Sequence, residues 1–176
     1  MGNWFVFIVQ TGQEQKACDF LNKLLNREES TAFIPQVELI FKSSKYIRKE
    51  LKPMFPGYVF TDSVLDEKEF VSEAFRYVKF SNCIFKLLGN QSYNYMTISE
   101  AEKNYLLDFC NDRYVAEESQ GFIIGDNVFI NSGPLKGKES IIKRIDRHKR
   151  RAEIEITCLG DIRRVGVSLE IISKMF

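Results

Sequence analysis

Histidine is almost missing: one residue, His148, in a chain of 176. No second histidine and no flanking acid at helical spacing accompanies it, which disfavours general-base catalysis and a histidine metal centre. There is no Gly-x-Ser-x-Gly elbow for acyl transfer. The closest approach to a phosphate loop, Gly133 to Lys138, has its glycines one residue too close, and Glu139 stands where a magnesium-binding hydroxyl is needed. The four cysteines, Cys18, Cys83, Cys110 and Cys158, show no Cys-x-x-Cys spacing, so reduced, mostly buried thiols are expected rather than a metal site or a disulfide framework. The longest apolar run, Trp4 to Val9, has six residues, far short of the ~18 of a spanning helix. No basic leader or small-residue cleavage pattern surrounds it. The expectation is a cytoplasmic, non-enzymatic monomer without cofactor or metal and with no membrane partner, in which the Asn90-Gln91-Ser92 sequon is accidental.

What is present is an uneven distribution of charge. At 44% hydrophobic and 28% charged the chain has the composition of a globular protein, with a formal net charge of +1. From residue 121 onward eleven Lys and Arg face seven Asp and Glu, net +4, whereas the preceding residues hold 14 against 17, net −3. The rear of the chain is therefore a candidate for contact with nucleic acid. Its densest point is Arg147-His148-Lys149-Arg150-Arg151.

Hydrophobic periodicity divides the chain in the same way. Trp4 to Val9 reads as a central strand buried on both faces. Thr11 with Glu14 has the capping-box spacing, followed by Ala17, Phe20, Leu21, Leu24 and Leu25 at helical intervals. Ala32 to Phe41 suggests a strand leading into an exposed hairpin or loop over residues 42 to 52. A strand starting at Phe55-Pro56 follows, with proline where its missing N–H does least harm. Asp66 with Glu69 announces a helix carrying Phe70, Val71, Ala74 and Phe75. Ile84 to Leu88 is a strand, and Ser99 with Glu102 opens a helix with Leu106, Phe109 and Cys110 on one side. The order β-α-β-β-α-β-α implies an α/β sandwich with a mainly antiparallel sheet. Residues 113–120 read as a linker. Beyond them the period becomes two, with turn residues about every ten positions, which suggests a small β-barrel.

Trp4-Phe5-Val6, Phe55-Pro56-Gly57-Tyr58-Val59, Ile98-Ser99 with Glu102, Gly125-Asp126-x-Val128 and Gly133-Pro134-Leu135-x-Gly137 follow one another as they do in the NusG family of transcription elongation factors. The chain resembles that family over essentially its whole length. Residues 1–112 look like its NGN domain, 113–120 like its linker and 121–176 like its KOW domain, a five-stranded, SH3-like barrel; the fold class is α+β. The resemblance implies that the first domain grips the clamp helices of bacterial RNA polymerase through an apolar cavity, here Trp4, Phe5, Phe55, Pro56, Tyr58 and Phe60. Aromatic anchors suit such a role. A strand with Tyr58 and Phe60 on one face and Val59 on the other also needs a core, so both readings stand. Arg76, Tyr77 and Lys79 occupy the stretch where family members approach non-template DNA. Cations that follow phosphates and an aromatic that stacks on bases fit single strands, although the family's usual Arg-x-Thr-Pro-Gly-Val is replaced by other residues.

In the KOW resemblance, Ser140 to Ile145 and Ala152 to Thr157 are paired strands, and residues 146–151 form the turn between them. Arg147, His148, Lys149, Arg150 and Arg151 then crowd a hairpin tip, with Lys136 and Lys138 in an earlier loop and Lys143 and Arg144 on the adjoining strand. Such a surface suits phosphates and, through arginine, guanine edges. Leu135 stands where the housekeeping factor carries an aromatic that meets a ribosomal protein and a termination factor, which weakens a coupling role. The chain is most similar to the LoaP-type antitermination paralogues, which implies recruitment by a structured RNA hairpin. The alternatives are a general NusG-type elongation factor and a ribosomal or RNA-structural KOW protein.

Overall fold

The computed structural model describes residues 2–43, 45–89 and 97–175; the Asn90-Gln91-Ser92 sequon lies outside them. In chain order the elements are β1 (Asn3–Val9), α1 (Glu14–Leu24), β2 (Ser30–Phe33), β3 (Gln36–Lys42), β4 (Ile47–Pro53), β5 (Tyr58–Ser63), α2 (Glu67–Phe80) and β6 (Ile84–Leu87). They continue with α3 (Glu100–Phe109), β7 (Val115–Ala116), β8 (Ser119–Ile124), β9 (Asn127–Ser132), β10 (Ile142–Asp146), β11 (Arg151–Cys158) and β12 (Asp161–Met175). They divide into two compact units: Met1–Pro35 with Phe55–Lys103, and Gln36–Met54 with Asn104–Phe176. No helix among the described residues is long and apolar enough to cross a membrane.

The first unit contains a four-stranded antiparallel sheet in the order β2-β5-β1-β6. β1 is interior, as its unbroken apolar run requires. Phe5, Phe7 and Val9 project with Val59 into a core that also holds Ala17 and Leu21 of α1 and Phe70, Ala74 and Tyr77 of α2. Phe5 stacks on Phe70 with ring centroids 4.0 Å apart. The opposite face carries Trp4, Phe33 and Phe60.

Two of the three expected caps form. Asp66 accepts the Glu69 N–H while Glu69 accepts the Asp66 N–H. Ser99 and Glu102 do the same at α3. The first does not, because α1 starts at Glu14 behind Gln13 rather than behind Thr11. The Glu14 carboxylate instead accepts the N–H groups of Gly12 (2.9 Å) and Gly57 (2.8 Å). That second bond fixes the Pro56-Gly57 turn, where Gly57 adopts φ +85°, a left-handed conformation that favours glycine. β5 accordingly begins at Tyr58, after the turn, and not at the proline.

In the second unit the five expected strands form a ladder in the order β10-β11-β12-β8-β9. Among the described residues this ladder is open, with no closed barrel; β9 and β10 are its ends. A 3-10 turn, Glu139–Ile141, takes the residue expected to start β10. Glu139 accepts the N–H groups of Ile130 on β9 (3.1 Å) and Gly137 (3.4 Å). Its own N–H first, then these two, hold its carboxyl below the usual range. Within the Gly133–Lys138 loop the Gly137 N–H is thus engaged by Glu139 and the Leu135 N–H by Ser119 Oγ, while those of Lys136 and Lys138 meet the Gly133 and Leu135 carbonyls. A second sheet, β4-β3-β7, completes the unit. Of the hairpin or loop expected over residues 42 to 52, the structure shows the hairpin: β3 and β4 pair antiparallel in register from Gln36↔Pro53 to Lys42↔Ile47. Residues 113–120, expected as a linker, contain β7 and the start of β8; Val115 and Ala116 are buried beside β3, where the ladder satisfies their backbone.

None of the four cysteines is in a disulfide among the described residues; Cys18, Cys83 and Cys158 are buried and Cys110 half-buried. Burial, with Asp19 adding to it, pushes the Cys18 thiol up to about 11, and burial alone pushes Cys110 up to about 12. A raised thiol pKa depletes the reactive thiolate below it. At pH 8 Cys18 should hold about 100-fold less thiolate than an ordinary cysteine. Native-state alkylation followed by mass spectrometry should therefore find both residues unlabelled under conditions that modify the unfolded chain, and rapid labelling at pH 8 would contradict their burial.

Candidate nucleic-acid interface

In the first unit, the residues expected to meet polymerase separate into two groups. Trp4, Phe5, Phe55 and Phe60 are buried. Trp4 meets Phe33 edge-on at 4.8 Å, and Phe55 lies 5.9 Å from Phe60. Pro56 is exposed and Tyr58 half-buried. Trp4, Phe55 and Phe60 therefore form the floor under a turn that presents the second group, whereas Phe5, expected beside them, projects to the opposite face of the sheet and stacks on Phe70. Lys103 is part of that floor: it is 1% exposed, its ammonium sits 5.4 Å from the Trp4 ring centroid, and it donates to the Gly2 carbonyl.

Arg76 and Lys79 are exposed near the end of α2, but Tyr77 between them is buried. Its hydroxyl donates to Glu73 at 2.7 Å, and burial followed by this bond raises the phenol above its ordinary range. The ring is in the core and offers no stacking face. Phe75, expected inside, is instead 61% exposed. The spacing Phe70, Ala74, Tyr77, at steps of four and three, is the signal that assigns the buried stripe to Tyr77.

The basic cluster of the second unit stands on the β10–β11 hairpin. Asp146 pairs with Arg151, so Arg147 to Arg150 make the turn. The Asp146 carboxylate accepts the Lys149 N–H at 3.0 Å; this bond, then the charges of Lys149, His148 and Arg144, keep its pKa below the usual range. Arg150 adopts φ +53°, and its guanidinium lies 3.3 Å from Glu170.

Arg151 does not point outward. Its guanidinium donates to the Ile40 carbonyl (3.0 Å) and to Ser168 Oγ (3.1 Å), and sits 4.9 Å from the Phe41 ring centroid. Ser168 Oγ also accepts the Ile40 N–H at 3.1 Å. Arg151 thus joins β11 to β3, and its burial lowers the guanidinium pKa from its ordinary value.

Acids accompany several of the other cations. Lys138 pairs with Asp108 (2.6 Å), Lys143 with Glu155 (3.6 Å) and, loosely, Lys149 with Asp146 (3.9 Å). Among the described residues Lys136, Arg144, Arg147 and His148 form no ion pair, and all four are exposed. The outward positive surface is therefore centred on Arg144, Arg147, His148 and Lys149. Two clefts flank it. One, of about 630 Å³, is bordered by Arg144, Arg147 and Glu170, and the other, of about 390 Å³, by Phe41, Tyr46 and Lys149. His148 and Arg150 border both. Phe41 and Tyr46 carry no local signal in the sequence, because the turn they face lies about a hundred residues away. No group of His, Cys, Asp and Glu able to hold a metal ion occurs among the described residues.

Residues 2–107, more than half of the chain, match the family model described as transcription termination factor nusG. The chain belongs to the NusG family. Similar curated proteins carry the name transcription termination/antitermination protein NusG. The one from Chlamydia trachomatis is 24% identical over 166 residues, covering 94% of this chain and 90% of the relative. The one from Vibrio vulnificus is 22% identical over 173 residues, covering 95% and 91%. Among solved structures, "Domain interaction in Thermotoga maritima NusG" shares the fold, with a TM-score of 0.54, 20% identity and coverage of 96% of this chain and 93% of that one. Like other members of the NusG family, the chain is a termination/antitermination factor of transcription and not an enzyme. Membership in the family removes the ribosomal-protein alternative.

Proposed function

We propose that this NusG-family factor binds bacterial RNA polymerase through residues 1–112 and is held at its target transcripts by structured leader RNA gripped by residues 121–176, so that polymerase reads through terminators. Pro56 and Tyr58 make the polymerase contact over the aromatic floor of Trp4, Phe55 and Phe60. Arg76 and Lys79 follow the phosphates of non-template DNA. The observation that carries the RNA assignment is the exposed surface of Arg144 on β10 with Arg147, His148 and Lys149 on the turn, flanked by clefts of about 630 and 390 Å³. A protruding basic tip suits RNA, which is recognised through loops, backbone and shape rather than a readable major groove.

This division of labour makes the factor a LoaP-type specialised paralogue. In the full chain, Arg147→Ala with Lys149→Ala should weaken binding to a stem-loop RNA. It should also flatten the dependence of log K on log salt by roughly 0.7 to 0.9 for each phosphate that the variant no longer neutralises. Unchanged affinity and slope would reject the RNA reading. Lys138, Lys143, Arg150 and Arg151, being paired or buried, should contribute less to that slope than Arg147.

The names of the similar proteins favour a second reading, a general factor that couples polymerase to a ribosome or a termination factor. Leu135 supports the first: it is wholly buried, so the position presents no side chain to a partner. Pull-down of polymerase with and without stem-loop RNA separates the two, since only a recruited paralogue should depend on the RNA.

A further inference from the structure

We propose that the cleft between the β3–β4 hairpin and the basic turn receives an unpaired nucleobase of the bound RNA, stacked on Tyr46, with Lys42, His148 and Lys149 holding the adjoining phosphates. The proposal rests on the RNA reading above and adds to it a specific occupant and a residue outside the basic cluster.

Three observations carry it. First, Tyr46 is 61% exposed at the rim of the cleft, and an aromatic ring beside a row of cations is the combination single-stranded nucleic acids use. Second, the main chain on either side of the ring is tied by hydrogen bonds. Ser43 Oγ accepts the N–H groups of Lys45 and Tyr46, each at 3.2 Å, and the Ser43 N–H donates to the Tyr46 carbonyl at 2.9 Å. Those bonds lower the backbone ordering cost when a base stacks on the ring.

Third, the opposite wall is held in place by the Arg151 guanidinium, which meets Phe41, Ile40 and Ser168. The cleft measures about 390 Å³, within the ~300–1,000 Å³ of small-ligand clefts. An acidic peptide would share the cations but has less use for the exposed ring.

The test is fluorescence anisotropy with the full chain and three labelled probes: a mixed-sequence single-stranded RNA of about 12 nucleotides, within the site sizes of single-strand binders, a blunt duplex of the same sequence, and a glutamate-rich peptide. The single strand should bind more tightly than the duplex. Tyr46→Ala should weaken the single strand roughly 5- to 100-fold and leave the duplex unchanged, and Tyr46→Phe should restore binding.

If Arg147→Ala with Lys149→Ala weakens both RNAs but Tyr46→Ala weakens neither, the cleft assignment fails while the RNA reading survives. If neither these RNAs nor the stem-loop RNA binds, both fail. Tyr46-dependent binding of the peptide, as tight as that of RNA, overturns the cleft in favour of an acidic protein partner.

Discussion

Phe60→Ala should lower the stability of the first unit by about 3–5 kcal/mol, the cost of emptying a buried aromatic site. Phe60 is fully buried and meets three rings at once, those of Trp4, Phe33 and Phe55, at centroid distances of 6.2, 5.7 and 5.9 Å. None of these neighbours can collapse into the gap without leaving its own packing. Tyr58→Ala, two residues away on the same sheet face but half-buried, should cost about 1 kcal/mol while weakening polymerase binding. Urea denaturation of both variants, beside a polymerase pull-down, separates the floor of the motif from its surface. Equal midpoints for Phe60→Ala and the parent would show that the ring is not a core element.

Gly133→Ala should be comparably damaging to the second unit. Gly133 has φ +88°, and a Cβ placed there would lie 2.5 Å from both the Glu118 carbonyl oxygen and the Ser119 Cα. Those are backbone atoms, so the clash cannot be relieved by turning a side chain. The same Cβ would come 2.7 Å from Ser119 Oγ, which accepts the buried Leu135 N–H at 3.0 Å. Backbone strain and overpacking of about 1–3 kcal/mol each add to the loss of that bond, for a total of about 3 kcal/mol or more. Hydrogen exchange should show faster opening of β8 and β9 while amides of β1 and β5 keep their protection. Uniformly unchanged exchange would mean that the loop absorbs the methyl group.

Local chemistry is readable in the sequence and distant chemistry is not. The Asp66–Glu69 and Ser99–Glu102 caps join residues three apart, so their spacing alone identifies them. Glu14 stands at capping distance from Thr11, yet one of its partners is Gly57, 43 positions away, and no local pattern announces such a bond. The expectation for Tyr77 fails for a different reason: a short apolar cluster admits two helical phases, and packing selects one. The turn of the basic cluster is legible because polar residues separate two alternating strands. The inward course of Arg151 is not, since it depends on Ile40, 111 positions earlier.

The place of β12 also bears on the order in which the second unit can be built. β12 is the middle strand of its five-stranded sheet, pairing with β11 along Asp161–Ser168 and with β8 along Leu169–Met175. It is also the last of the five to leave the ribosome. Until it emerges, the β8–β9 and β10–β11 hairpins are two ribbons with no common partner, each with an unsatisfied edge. Synthesis of the final strand is thus the closing step that turns two marginal hairpins into one sheet, so a nascent chain stopped before Asp161 should expose both ribbons to proteases while the first unit is already protected.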